Sequence, residues 1–248
     1  MTPELNQVEI DYTEFLAQRR GVPLDVARAD YLRVRSLYNF GGLAFKKLML
    51  SLYNLFSPIY GDTEREIYET HKFHAALHLY RHIGYSYSAQ QRYTVAAEKI
   101  VKLLDGSAPV VVDYGCGLGY IPMEMYAIAP DTVIYLVDID GMVLDFATWR
   151  YAKHGVPYAA IRVKRSDPYP QLPPHNVCLA LESMEHIPEP LRAYANINAA
   201  MEPGGYLVGD FGDHSRQLFH VSPNLQPLRE AVARNFVQVQ PKLFRKVR

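Results

Sequence analysis

The chain has two halves that differ in their hydrophobic pattern. Up to about residue 105 apolar residues recur at helical spacing, with few glycines and almost no β-branched runs. From residue 110 onward, short runs of Val, Ile and Leu alternate with helical segments, which is typical of a parallel sheet with crossover helices. We therefore expect residues 1–90 to form a helical cap, acting as a lid and carrying an interface. We expect residues 91–248 to form an α/β domain with a doubly wound, mostly parallel sheet of seven strands.

The second half predicts its own order of strands and helices. Five strands are short and nearly all apolar, as strands covered by helices on both faces must be. Two more near the C-terminus have no helical pattern between them, so we expect a hairpin with one antiparallel strand. The predicted strands are 110–112, 133–137, 160–163, 177–181, 206–209, 236–239 and 242–247, and the predicted helices are 91–104, 120–128, 142–153, 189–200 and 224–234.

A glycine-rich loop between the first strand and the next helix is the strongest chemical signal. It places glycine at every second position, at Gly115, Gly117 and Gly119. Glycine lets a ligand approach the backbone closely, and the following helix start presents N–H groups. The dinucleotide fingerprint has its third glycine where this chain has Tyr120. Asp113, two residues before the first glycine, would repel a pyrophosphate and suits a cationic ligand such as one with an ammonium group.

A second acidic position favours a ligand that contains a ribose. Asp138 ends the next predicted strand, where a carboxylate can accept hydrogen bonds from both ribose hydroxyls. A ligand with a ribose and an amino-acid ammonium is S-adenosylmethionine. At these residues the chain resembles the class I, Rossmann-like S-adenosylmethionine-dependent methyltransferases. The resemblance continues, in the family's order, through Ser166-Asp167, the segment Leu181–Pro188 and the segment Met201–Leu207, in which Pro203–Gly205 is expected to be a turn.

This resemblance implies a cofactor and a set of residues that hold it. S-adenosylmethionine would bind and S-adenosylhomocysteine would be the product. The glycine loop would hold the methionine part, Asp138 the ribose and Asp167 the adenine edge, while Cys116 fills space in the loop. The expected cofactor-binding residues are Asp113, Gly115, Cys116, Gly117, Gly119, Asp138, Ile139, Asp167, Glu182 and Tyr87.

Two histidines are candidate catalytic bases. His186 follows the fourth strand, on the side where open parallel sheets bind ligands, and a packed structural histidine is the alternative. His214 follows the fifth strand, in a loop that borders the acceptor site in this family, and a surface turn capped by aspartate is the alternative. A base is needed only if the nucleophile arrives protonated, because the sulfonium is already activated.

A stripe of histidines marks the predicted helix 63–83. The four side chains fall within about 80° of arc, away from the apolar face of that helix: His71, His74, His78 and His82. A solvated or interface stripe, a wall of the substrate pocket and a metal site are all open, and an i, i+4 pair such as His74 and His78 can chelate zinc or iron. Tyrosines crowd the cap, which suits a half-dry pocket. The candidate substrate-binding residues are His74, His78 and Tyr85.

Composition narrows the partners and the compartment. Lys plus Arg and Asp plus Glu both number 26, which argues against nucleic-acid binding. No signal peptide is expected, since residues 1–20 hold four acidic residues and no apolar core. No transmembrane segment is expected either, since the apolar stretch 40–60 is interrupted by lysines. That stretch is apolar on nearly every side, so it must be buried in a core or in a partner. We expect a homodimer interface, and contact with a membrane surface is the alternative. Two cysteines suit a reducing compartment, so we expect a cytoplasmic protein.

The predicted function is transfer of a methyl group from S-adenosylmethionine to an oxygen or nitrogen of a small metabolite. A protein or peptide methyltransferase is one alternative, and it would need a long open groove in place of a capped pocket. A non-catalytic S-adenosylmethionine-binding subunit of a complex is another. The intact glycine loop and acidic residues disfavour that alternative.

Overall fold

The chain divides into two compact units, Met1–Ser88 and Ala89–Arg248. A computed structural model describes residues 4–36, 83, 92–164, 166–213, 222 and 224–247. The predicted helix 63–83 with its histidine stripe and the apolar stretch 40–60 lie outside these residues, apart from residue 83, which is helical. Within the described ranges, no helix is long and apolar enough to cross a membrane.

The described part of the first unit is helical. Asn6 and Glu9 form a capping box at the start of the first helix, which ends at Gly21 in the left-handed conformation. The hydroxyl of Tyr31 in the second helix donates to Glu9 Oε1 at 2.6 Å. This buried hydrogen bond connects the two helices. The helices are α1 (Gln7–Arg20) and α2 (24–36).

The second unit is a seven-stranded sheet, and it confirms the predicted fold class. The strand order is β3-β2-β1-β4-β5-β7-β6, in which β7 runs antiparallel to both of its neighbours and the other pairings are parallel. In chain order the elements are α3 (92–103), β1 (Val110–Tyr114), α4 (Tyr120–Ile128), β2 (Val133–Ile139), α5 (Met142–Lys153), β3 (Ala159–Val163), β4 (His175–Ala180), a 3-10 turn (Met184–His186), α6 (Pro190–Ala200), β5 (Met201–Gly209), α7 (Gln226–Asn235), β6 (Phe236–Gln240) and β7 (Leu243–Lys246).

Successive side chains of the central strand β1 pack into hydrophobic cores on opposite faces of the sheet. Val112 and Tyr114 of β1 pack in a cluster with residues of α6 and α7. Val111 points to the other face and packs with residues of α3 and α4, while Leu136 of β2 packs against α5. Because both faces are covered, these strands are almost wholly apolar, and polar side chains collect at their carboxyl ends.

The start of β5 differs from the prediction. Pro203–Gly205 does not form a separate turn but belongs to the strand, whose register with β4 shifts between His175 and Val177. Gly204 has a φ of 81°, and a Cβ on Gly205 would lie 2.9 Å from the Asn176 carbonyl oxygen. This shift in register allows proline and glycine to lie inside the strand. The local sequence pattern alone predicts a turn at these residues. The other strands and helices predicted for the second half, from residue 91 onward, agree with the structure to within two residues.

Candidate functional site

The glycine loop folds back onto the end of β2. The backbone N–H groups of Gly115 and Cys116 donate to the carbonyl oxygen of Val137 at 2.8 and 3.1 Å. That of Gly117 donates to Asp138 Oδ2 at 2.7 Å. Gly115, Gly117 and Gly119 have φ values of 76°, 52° and 61°, in the left-handed region that glycine adopts without strain. The glycine repeat therefore sets the path of the chain between β1 and α4.

Two of these glycines are also required by neighbouring protein side chains. A Cβ on Gly115 would lie 2.5 Å from Cβ of Ser183, and a Cβ on Gly119 would lie 2.9 Å from the Tyr151 ring. From the sequence, we expect a ligand to occupy the space beside these glycines. In the structure, at these two positions, the protein itself fills it.

Asp113 lies at the end of β1 and is 9% exposed. Burial, and then the nearby carboxylate of Asp138, raise the pKa of Asp113 well above its ordinary value. No cation of the described residues counteracts this rise. A ligand that brings a positive charge to this carboxyl would therefore stabilise its ionised form.

Asp138 and Ile139 form the adjoining strand end. Asp138 Oδ1 accepts from the N–H of Ile139 at 2.7 Å, in addition to its bond from Gly117. Just beyond, Arg162 of β3 donates to Asp140 at 2.7 Å and to Asp145 at 2.8 Å. The loop after β2 is thus tied both to the glycine loop and to the neighbouring strand.

Asp167 is exposed and follows β3, where its N–H donates to the Lys164 carbonyl oxygen at 3.1 Å. Burial raises the pKa of Tyr114 at the end of β1, and smaller electrostatic contributions to that rise come from neighbours that include Asp167 and Asp138. Because β2 and β3 run parallel with Ile139 opposite Val163, Asp138 and the segment that contains Asp167 lie at the same carboxyl edge of the sheet.

The segment after β4 brings four residues to this edge. Glu182 is exposed and has a φ of 49°, a strained conformation for a residue with a Cβ. Ser183 is buried against Gly115, and among the described residues its hydroxyl has no hydrogen-bond partner. In the following 3-10 turn, Nε2 of His186 lies 3.9 Å from Oε1 of the buried Glu185, and the His186 side chain is 32% exposed.

Sequence comparison identifies the family at this point. The profile of a family described as a methyltransferase domain matches residues 87–226, more than half of the chain. The chain belongs to the class I S-adenosylmethionine-dependent methyltransferases. A search of curated proteins found no match.

A search of solved structures found chains that are similar to this one. One is StiE O-MT, residues 961–1257, with 19% identity and a TM-score of 0.50 over 62% of this chain and 54% of that one. The cyclase SpnF is 20% identical with a TM-score of 0.49, over 61% and 58% of the two chains. The N-methyltransferase NodS from Bradyrhizobium japonicum WM9 is 16% identical with a TM-score of 0.47, over 66% and 99%. The chain thus spans little more than half the length of the first two.

Three residues of the candidate site were missed at the sequence level. Ser183 follows Glu182 in a segment already singled out, so its position at a strand end was an available signal. Tyr151 and Arg150 appear in the sequence only as members of a predicted helix, yet both contact the glycine loop. Tyr151 Oη donates to the Gly119 carbonyl oxygen and Arg150 to that of Leu118.

Several predicted site residues fall outside the described part of the chain: His74, His78, Tyr85, Tyr87 and His214. Next to His214, Asp213 is described, and its carboxylate accepts from the N–H of Leu225 at 2.8 Å and from both terminal nitrogens of Arg229. This aspartate therefore anchors the start of α7. In the described ranges, no group of three or more His, Cys, Asp or Glu side chains is arranged to hold a metal ion.

Proposed function

We propose that this protein transfers the methyl group of S-adenosylmethionine to an oxygen or nitrogen atom of a small metabolite. The observation that carries the proposal is the buried carboxyl of Asp113 beside the glycine loop, accompanied by no cation of the described residues. A site built for a phosphate-bearing cofactor would not place a buried acidic group there, since like charges repel. Family membership supports the same cofactor.

The donor set at the carboxyl edge fits this cofactor. Asp113 would accept from the ammonium of the methionine part. The hydroxyl of Ser183, which has no hydrogen-bond partner among the described residues, is one further polar group beside the loop. Asp138 would bind the ribose hydroxyls, next to the apolar side chain of Ile139, and Asp167 would contact the adenine edge. Gly115, Cys116, Gly117, Gly119 and Glu182 complete the proposed set, together with Tyr87.

The cofactor supplies a methyl group already activated by a positively charged sulfur. The protein's task is then to align the acceptor atom, exclude water and, where the acceptor is protonated, remove a proton. His186 is the proposed base, because its ring lies at the carboxyl edge and is partly exposed. Glu185, at 3.9 Å, would stabilise the imidazolium that forms. His214 is the second candidate.

The residues in front of the α/β domain are the proposed source of acceptor specificity. We place the lid in residues 1–90, with Tyr85, His74 and His78 as substrate-binding groups, on the strength of the tyrosine content and the histidine stripe. The stretch 40–60 supports a homodimer, and the low cysteine content supports a cytoplasmic location.

Calorimetric titration with S-adenosylhomocysteine tests the cofactor half of the proposal. This compound retains the ammonium and the ribose. Wild type and an Asp131→Ala control, which alters an exposed carboxylate elsewhere in the domain, should bind it, whereas Asp113→Asn should bind more weakly. Binding that is absent from wild type at millimolar concentration, or NADH bound in its place, would rule the proposal out.

Incubation of the enzyme with labelled S-adenosylmethionine and a cell extract tests the acceptor half. Label is expected in the small-molecule fraction. Label in protein instead would favour a protein or peptide methyltransferase. Binding of the cofactor with no transfer to either fraction would favour a non-catalytic subunit.

A further inference from the structure

Helix α5 contacts the glycine loop through two consecutive residues. Tyr151 Oη donates to the Gly119 carbonyl oxygen at 2.5 Å. Arg150 donates to the Leu118 carbonyl oxygen at 3.4 Å, a longer bond. Tyr151 is fully buried, and burial raises its pKa well above the ordinary value, so its hydroxyl keeps the proton that it donates. Two successive carbonyl groups of the loop are therefore held from the side of α5.

Both donors are themselves fixed by aromatic contacts. The guanidinium of Arg150 lies 4.4 Å from the centre of the Tyr120 ring, on which Tyr93 of α3 stacks at 5.5 Å. The ring of Tyr151 meets that of Tyr158 edge-on at 5.6 Å. It also fills the space beside Gly119 that a Cβ would need. Rotating either donor away from the loop would break these contacts.

These bonds set the direction of the amide groups at the start of α4. A peptide unit is planar, so the direction of its C=O determines the direction of its N–H. With the Gly119 carbonyl directed at Tyr151, the N–H of Tyr120 points away from α5. Gly119 is the N-cap of α4 and has no side chain to cover the first turn. The start of the helix thus presents its backbone to the carboxyl edge of the sheet.

We propose that Tyr151 and Arg150 are positioning residues for cofactor binding, which hold the peptide planes on either side of Gly119 in the orientation that the bound cofactor requires. The inference rests on the proposed function, because that function makes the loop the cofactor site. Without the Tyr151 hydroxyl, the Gly119–Tyr120 peptide gains freedom in the ligand-free protein. Binding must then restrict it, which lowers the affinity.

The test compares two tyrosine-to-phenylalanine variants by titration with S-adenosylhomocysteine. Tyr151→Phe removes the bond to the loop and keeps the ring. Tyr194→Phe is the matched control, because the buried Tyr194 hydroxyl also donates to a backbone carbonyl, that of Ala231 at 3.0 Å, on the other face of the sheet. Both variants should melt at a lower temperature. Only Tyr151→Phe should raise the Kd, by about threefold to tenfold, which corresponds to one hydrogen bond.

A purely structural role for Tyr151 predicts a different pattern. An unchanged Kd in Tyr151→Phe, measured well below its melting temperature, or equal increases in both variants, would overturn the inference. Arg150→Met gives a second measurement should Tyr151→Phe fail to fold, and it should also raise the Kd, by a smaller factor. Absence of binding to the wild-type protein would overturn the proposed function itself, a result distinct from any difference between the variants.

Discussion

In the ligand-free protein, Asp113 keeps its proton over a wider pH range than an exposed aspartate does. The titratable groups that interact electrostatically with it are the carboxylate of Asp138 from β2, the thiols of Cys116 and Cys178, and the hydroxyl of Tyr151 from α5. None of these groups is a cation, and burial raises the pKa of both thiols and of the phenol, so they stay neutral. The pKa of Asp113 is consequently raised well above its ordinary value of 3.8.

This raised pKa makes the stability of the protein fall with increasing pH. Between 3.8 and the raised pKa, the unfolded chain has lost the proton of Asp113 while the folded chain still holds it. The unfolded state then binds one proton fewer, so the free energy of unfolding decreases by up to about 1.4 kcal/mol per pH unit. Above the raised pKa this contribution is constant. Asp113→Asn has no such proton and should lack the slope in urea unfolding series across pH.

Ligand binding should lower the raised pKa of Asp113 again. An ammonium placed beside Asp113 favours its ionised form, so binding of S-adenosylhomocysteine releases the proton. Within the same pH window, titrations in buffers of different ionisation enthalpy should show close to one proton released per site. The Kd should fall by up to about tenfold per pH unit. Asp113→Asn should release no proton, and Asp131→Ala should behave as the wild type does.

Two results together would refute this reasoning. One is a free energy of unfolding that follows the same pH profile in wild type and in Asp113→Asn. The other is wild-type binding of S-adenosylhomocysteine with no proton exchanged at any pH in the window. Proton release of equal size in the asparagine variant would assign the effect to a different group.

Three further predictions concern stability. Burial lowers the pKa of His175 below 6.5, so the unfolded chain takes up a proton before the folded chain does as the pH falls. In urea unfolding between pH 7.5 and 5.5, acid should therefore lower the stability of wild type more than that of His175→Gln. Gly115→Ala should lower the free energy of unfolding by about 1–3 kcal/mol, because the φ of Gly115 is 76° and Ser183 occupies the space that the new Cβ needs. Adding Ser183→Gly to this variant should recover part of the loss. No recovery would contradict a clash between the new Cβ and Ser183. Asp213→Ala should lower the free energy of unfolding by about 1 kcal/mol, because it removes the hydrogen bond from the Leu225 N–H. Equal stability of Asp213→Ala and Asp213→Asn would show that this hydrogen bond contributes nothing.

The sequence determined much of the fold and the acidic part of the candidate site. Strand and helix positions follow from hydrophobic periodicity, a local property, and in the described residues of the second unit they agree closely with the structure outside the start of β5. Asp113 and Asp138 were found together because each ends a strand of a parallel sheet, and neighbouring carboxyl ends meet at one edge. The glycine repeat marked the loop before α4, and the structure adds that all three glycines adopt left-handed φ values.

Only the tertiary structure decided what surrounds that loop. Tyr151 contacts Gly119 across 32 positions in the chain, and Ser183 reaches Gly115 from the end of a different strand. Such contacts depend on the packing of α5 and of the segment after β4 against the sheet. Local periodicity places a side chain on one face of its own element but does not say which distant backbone atom it meets there.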